Sequence, residues 1–183
     1  MKVVAFSGSL RKESFTTKLV HAFIALAPEG VEVELVPIGD LPFINQDYEN
    51  DLPAAVQALK AKVQSADAVL LATPEYNRSY SPVLKNALDW ASRPAGANVW
   101  SGKPTAVVGC TPGTLGAFGA VHHLRQVLVF LNMQPMQQPE FYLAGAAQKF
   151  NEQGELTDEA TKEHIVAFWQ AFVTFAARFS AAK

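Results

Sequence analysis

Ser7-Gly8-Ser9-Leu10-Arg11-Lys12-Glu13-Ser14-Phe15-Thr16-Thr17 follows a short apolar run, Val3 to Phe6, and precedes apolar positions at helical spacing, Leu19, Phe23 and Ala27. The pattern predicts a strand, a turn and a helix. A loop that leaves a first strand and opens a helix presents unpaired backbone N–H groups at the positive end of the helix dipole, where anions are held. Gly8 suits a tight turn, the hydroxyls of Ser9, Ser14, Thr16 and Thr17 add donors, and Arg11 adds a fixed positive charge. Ser and Thr also cap helices, so on composition alone a phosphate site and a plain helix cap are about equally good readings. The loop lacks the Gly-Lys-Ser/Thr ending of a triphosphate loop and the Gly-x-Gly-x-x-Gly of a dinucleotide turn, which favours a single terminal phosphate.

The chain has 183 residues, 49% of them hydrophobic, the size of one globular domain spanning 1–183. Its formal net charge of -2, without a basic stripe, argues against nucleic acid as a partner. No apolar segment approaches the roughly 20 residues of a bilayer span, and no leader precedes the first strand, so a cytoplasmic protein without membrane contact is expected. Cys110 is the single cysteine; at the end of an apolar run it reads as a small buried side chain, and no metal site is expected.

Further along, Val31 to Val36 alternates like a half-buried strand, and Ile38 to Asp51 leaves the sheet as a loop whose Leu41, Phe43 and Ile44 pack over something. Leu52, Val56, Leu59 and Val63 follow at helical spacing. Asp67 to Ala72 is a nearly continuous apolar run, the mark of a central parallel strand. It exits into Thr73-Pro74-Glu75-Tyr76-Asn77-Arg78-Ser79-Tyr80-Ser81-Pro82 and a helix through Ala91. Lys103 to Cys110 is a further strand, leaving through Thr111 to Gly119 into an apolar helix. The last edge strand lies somewhere within Met133 to Leu143, and a long amphipathic helix from Ile165 to Phe179 closes the chain.

A β-α unit repeated about five times predicts an α/β fold, a doubly wound five-stranded parallel sheet in the order 2-1-3-4-5 with helices on both faces. In that order ligands sit between the exits of the first and third strands. Those exits are the Ser9 and Pro74 loops, with the Thr111 loop beside them. A Pro-rich turn alone merely shapes a loop, but joined to its neighbours it offers Tyr76 as a flat surface and backbone N–H groups of Glu75 to Arg78 to a heteroaromatic ring. His122 and His123 diverge by about 100 degrees on a helix and read as surface or subunit-contact residues. Trp90, Trp100 and Trp169 read as packing residues, with Trp100 near the mouth of the site.

Gly8-Ser9-Leu10-Arg11-Lys12-Glu13-Ser14, Pro74-Glu75-Tyr76-Asn77 and Leu84-Lys85-Asn86-Ala87-Leu88-Asp89-Trp90, in this order, resemble the NAD(P)H-dependent FMN reductase family, and within it the quinone reductases that also reduce chromate. The resemblance covers nearly the whole chain and implies a flavodoxin-like fold, non-covalently bound FMN, and a homo-oligomer, either a dimer or a dimer of dimers. Carried over by position, it assigns Ser9, Leu10, Arg11, Ser14, Phe15 and Thr16 to the phosphate and ribityl end. Pro74, Glu75, Tyr76, Asn77 and Arg78 would line the ring, with Thr111 and Gly113 closing the site. Arg93 and Tyr80 fall on the substrate side or at a subunit contact. Relatives often carry Asn where Thr16 stands and Pro-Gly where Ser81-Pro82 stands, so the pocket differs at those points. The implied activity moves a hydride from NADPH or NADH to FMN and then two electrons to small acceptors such as quinones, chromate, azo compounds or ferric complexes. No side chain is required as a catalytic acid, because the flavin carries the chemistry. The alternative is a flavodoxin-type electron carrier, for which a net charge of -2 is mild.

Overall fold

The computed structural model describes residues 1–180; the last three positions of the expected 1–183 domain lie outside them. Four parallel strands form the body of the sheet: β1 (Lys2–Ser7), β2 (Glu32–Leu35), β3 (Ala68–Thr73) and β4 (Pro104–Cys110). They are joined by α1 (Phe15–Ala25), α2 (Ala54–Ser65) and α3 (Pro82–Ala91), and α4 (Phe118–Phe130) follows β4. Two short strands, β5 (Gln134–Pro135) and β6 (Phe141–Leu143), precede the closing helix α5 (Glu159–Ser180). The strand order is β2-β1-β3-β4-β5, with β6 also on β4, and every pairing is parallel.

The outer edge departs from the expected fifth strand. β5 pairs with Pro104 and Thr105, and β6 with Val108 to Cys110, so two short strands share one side of β4. Pro135 and Pro139 lie in this stretch, and a proline lacks the N–H that a continuous ladder needs.

Alternation along β1 shows why the sheet is covered on both sides. Val3 and Ala5 face a core built with α1 and α5, including Leu19, Phe23, Phe168, Trp169 and Phe172. Val4 and Phe6 face a second core with α2, α3 and α4, including Val63, Leu84, Leu88, Trp100, Leu124 and Leu128. All six residues of β3 are buried, as its apolar run requires of a strand sandwiched between helices. Each large apolar side chain so buried stabilises the fold by about 1.5–3 kcal/mol. Phe23 is the hub of the first core, with edge-on contacts to Phe141, Phe168 and Trp169 at 5.1, 5.6 and 5.8 Å. Trp169 Nε1 donates to Phe23 O at 2.9 Å and fastens α5 to α1.

Trp100 is fully buried in the second core, edge-on to Phe6 at 5.7 Å and donating from Nε1 to Leu88 O, so it does not stand at the mouth of the cleft. Among the described residues no helix is long and apolar enough to cross a membrane, and no group of three His, Cys, Asp or Glu is placed to hold a metal ion.

Candidate functional site

The exits of β1, β3 and β4 meet beyond the carboxyl end of the sheet. A narrow cleft of about 150 Å³ is lined by Ser9, Arg11, Ser14, Phe15 and Thr16 from the first exit, Pro74 and Tyr76 from the second, and Cys110 and Pro112 from the third. Next to it a wider hollow of about 530 Å³ is lined by Glu75, Asn77 and Arg78 on one side and by residues 111–115 and Ala117 on the other. Pro112 borders both, so the two spaces adjoin.

Close approach of the first two loops depends on Gly8, though not through a special backbone angle. Gly8 is absent from the residues with positive φ. A Cβ there would stand 2.8 Å from Leu84 Cδ1 and 3.0 Å from both Pro74 Cδ and Ser81 Oγ. What the position needs is the missing side chain, and the tight-turn role expected of it is corrected accordingly. Gly109 does the same at β4, where a Cβ would come within 2.5 Å of Gly116 O, so the third loop folds back over the strand end.

The narrow cleft has the chemistry of an anion site. Ser14 is the N-cap of α1, its hydroxyl accepting from Thr17 N at 3.1 Å, and it retains its own O–H to donate. Among the described residues, the N–H groups of Phe15 and Thr16 have no protein acceptor, as expected in a first helical turn. No acidic residue stands in that turn to oppose an anion. Arg11 lies over the Phe15 ring at 5.4 Å and donates from Nε and Nη2 to Glu13 O, which holds the guanidinium at the rim with donors to spare. Thr17 Oγ1 and Ser7 Oγ are bonded to each other at 2.8 Å, so the Thr17 hydroxyl is committed inside the loop.

The wider hollow owes its shape to a tight turn. Tyr76 and Ser79 exchange both backbone hydrogen bonds, at 2.9 and 3.0 Å, around Asn77 and Arg78 with φ of 49° and 67°. Two positive φ values mark a type I′ turn, which Asn tolerates well and Arg poorly. The turn consumes the N–H of Tyr76; among the described residues those of Glu75, Asn77 and Arg78 have no protein acceptor. Such donors can bond the carbonyl and nitrogen acceptors of a flat ring, and Tyr76, 45% exposed, offers an aromatic surface nearby.

Several expected residues sit elsewhere. Leu10 is 61% exposed and rests against Gly39, outside the cleft. Tyr80 is 8% exposed, edge-on to His123, and its phenol is pushed up to about 12 by burial and then by the charge of Asp89, so it presents no open face to a substrate. Arg93, expected on the substrate side or at a subunit contact, lines a separate hollow of about 590 Å³ beside Lys85, Asp89, His123 and Phe130, and pairs with Glu49 at 3.7 Å. Glu75 borders the ring-side hollow, yet its carboxylate is turned to the N-terminus of α4 and to Arg78. Pro112, Thr114 and Leu115 line the two spaces without having been singled out, and Cys110, expected as a small buried side chain, also borders the narrow one. Only position announces them, at or just beyond the end of a central strand. The Cys110 thiol is pushed up to about 12 by burial, which disfavours the thiolate a nucleophile needs.

Comparison with known proteins bears on what the cleft holds. The family model "NADPH-dependent FMN reductase" matches residues 1–148. A quinone reductase of Pseudomonas putida is 48% identical over 174 residues, covering 94% of this chain and 93% of that protein. A 2-hydroxy-1,4-benzoquinone reductase of a Burkholderia species is 41% identical over 175 residues, covering 96% of each. The solved structure of FerB, a flavoenzyme NAD(P)H:(acceptor) oxidoreductase from Paracoccus denitrificans, superposes with a TM-score of 0.91 at 42% identity, covering 97% of this chain and 98% of that one. With this sheet order and this convergence of strand exits, the chain belongs to the NADPH-dependent FMN reductase family.

Proposed function

We propose that this chain is an FMN-dependent NAD(P)H oxidoreductase whose acceptors are quinones and other small oxidants. The observation that carries the reading is the junction of an anion-binding helix terminus and a donor-rich I′ turn across a single cleft. FMN, when bound, takes a hydride equivalent from NAD(P)H and gives two electrons to an acceptor.

The protein's part is to hold and tune. The N–H groups of Phe15 and Thr16, the hydroxyls of Ser9, Ser14 and Thr16, and the Arg11 guanidinium would hold the phosphate. Pro74, Tyr76, Asn77 and Arg78 would border the ring together with Thr111 and Gly113, and the free N–H groups of the turn would favour negative charge on a ring set against them. In this reading no side chain need act as an obligate proton donor, which suits an open cleft serving several acceptors. Its first turn and hydroxyls fit a monoester, so the structure fits FMN over a nucleotide pyrophosphate.

A homo-oligomer is part of this reading, and the exposed apolar side chains of α4 offer a surface for it. Trp90 and Trp100 are fully buried within one chain and contribute nothing to a contact. Among the described residues, the most exposed large apolar side chains are Phe130, 90% exposed, Phe43, 84% exposed, and Val129, 74% exposed. Phe130, Val127 and Ile44 border the hollow that holds Arg93, and a second copy covering this face would bury them. A cytoplasmic setting fits an enzyme drawing on NAD(P)H.

The test is direct. Protein purified under mild conditions should be yellow, its flavin should bleach on adding NADPH or NADH without oxygen, and colour should return with a benzoquinone. A flavin that stays oxidised with both nucleotides would refute the enzyme, and a stable one-electron state on titration would return the carrier reading.

A further inference from the structure

We infer that Glu75 is a positioning residue that ties the ring-side turn to α4, acting as a fixed hydrogen-bond acceptor rather than as a charge turned toward the ligand. The inference rests on the FMN reading and deepens it.

Helix α4 begins without a cap of its own. Its N-cap residue is Ala117, at φ 68°, and it makes no side-chain cap bond. A helix start leaves its first N–H groups unpaired, and a buried one is costly. Here the missing acceptor arrives from another element: Glu75 Oε2 accepts from Ala120 N at 3.2 Å across 45 residues of sequence. Its other oxygen, Oε1, holds Arg78 Nη1 at 2.7 Å. The Glu75 side chain is 9% exposed while that of Arg78 is 74% exposed, so one end of this chain of bonds is anchored and the other is in water. Gly119 makes the room, since a Cβ there would lie 3.2 Å from Oε2 and 3.5 Å from Arg78 O. Ser79 Oγ and His123 Nδ1, 2.9 Å apart, form a second strut between turn and helix.

The carboxylate is therefore spent on the scaffold. What it delivers to the site is the placement of the Asn77 and Arg78 N–H groups relative to the Thr111 to Ala117 loop, which α4 carries at its start. An amide oxygen can accept from Ala120 as a carboxylate does, with Arg78 swinging into solvent. A side chain of the same length without an acceptor cannot.

The experiment compares the parent with Glu75→Gln and Glu75→Met, and with Glu75→Ala as a second acceptor-free variant in case Met is not accommodated. Three quantities are read: amide exchange at Ala120 in the protein freed of flavin, the dissociation constant for FMN from flavin fluorescence, and the midpoint potential of the bound flavin. The Met and Ala variants should exchange Ala120 faster and bind FMN about ten-fold more weakly, the size of a lost helix cap. Glu75→Gln should stay within about two-fold of the parent in both and leave the potential in place. The inference is overturned if Glu75→Gln shifts the potential, or if Ala120 exchange in the acceptor-free variants matches the parent. Were the parent itself to bind no FMN, the proposed function would fall, and Ala120 exchange would still decide whether the tie exists.

Discussion

Asn86, on the buried face of α3, clamps the chain at Pro42: its Nδ2 donates to Pro42 O at 2.8 Å and its Oδ1 accepts from Ile44 N at 2.9 Å. Trp90, one turn on, donates from Nε1 to the same Pro42 carbonyl at 2.7 Å. The loop after β2 is thus held against α3 by bonds between α3 side chains and its backbone, while Phe43 between the two anchor points faces out, 84% exposed. Replacing Asn86 by Leu strands the Ile44 N–H in a half-buried place and should cost about 1–3 kcal/mol. Urea unfolding would show it as a lower midpoint with an unchanged slope.

Arg11→Ala should weaken FMN by about ten-fold or more, the contribution of a charge-assisted bond to phosphate, while leaving riboflavin affinity unchanged. Parallel fluorescence titrations with the two flavins check this. Equal losses for both would place Arg11 away from the phosphate.

Phe23→Ala removes the ring around which α1, α5 and β6 pack, and should destabilise by about 3–5 kcal/mol. Because Trp169 Nε1 bonds the Phe23 carbonyl and not its ring, that bond survives the substitution, and the loss reports packing alone. Thermal melting of the flavin-free protein measures it.

Asp158 is held down at about 2 from an ordinary 3.8, first by its hydrogen bond with Lys149 and then by those from the Thr161 hydroxyl and backbone at the start of α5. The folded-state value lies below the unfolded one, so this carboxylate stabilises above about pH 4 and loses its effect as the pH falls toward about 2. Asp158→Asn should flatten the dependence of the urea midpoint on pH in that acid range and leave the slope near neutrality alone. An identical acid profile in parent and variant would contradict the assignment.

Phe130→Asp places a charge on a side chain that is 90% exposed in one chain, so the fold should be unaffected. If a second copy covers this face, the variant should sediment as a 19.8 kDa species at micromolar concentration while the parent runs larger. Equal sedimentation would move the contact elsewhere.

Much of the architecture is legible in local pattern. The short apolar run Val3 to Phe6, the unbroken apolar run Ala68 to Ala72 and helical spacing at Leu19 and Phe23 are each set by a few neighbouring residues, and the parallel order follows from their succession. The edge was harder, because Pro135 and Pro139 split it into pieces too short for periodicity to register. Within the site, the three exits and the hydroxyl-rich helix start could be read from residue types, since helix termini and strand ends are local features.

Orientation could not be read that way. Whether Tyr80 or Trp100 faces a ligand or a core, whether Gly8 serves a turn or a close crossing, and whether the Glu75 carboxylate meets a ring or a helix end depend on residues dozens of positions away. The chain alone determined the elements, their order and the end of the sheet where a phosphate and a ring would bind. Only the folded packing decided which side chains reach that space, because burial and hydrogen-bond partners are properties of elements brought together and not of any one segment.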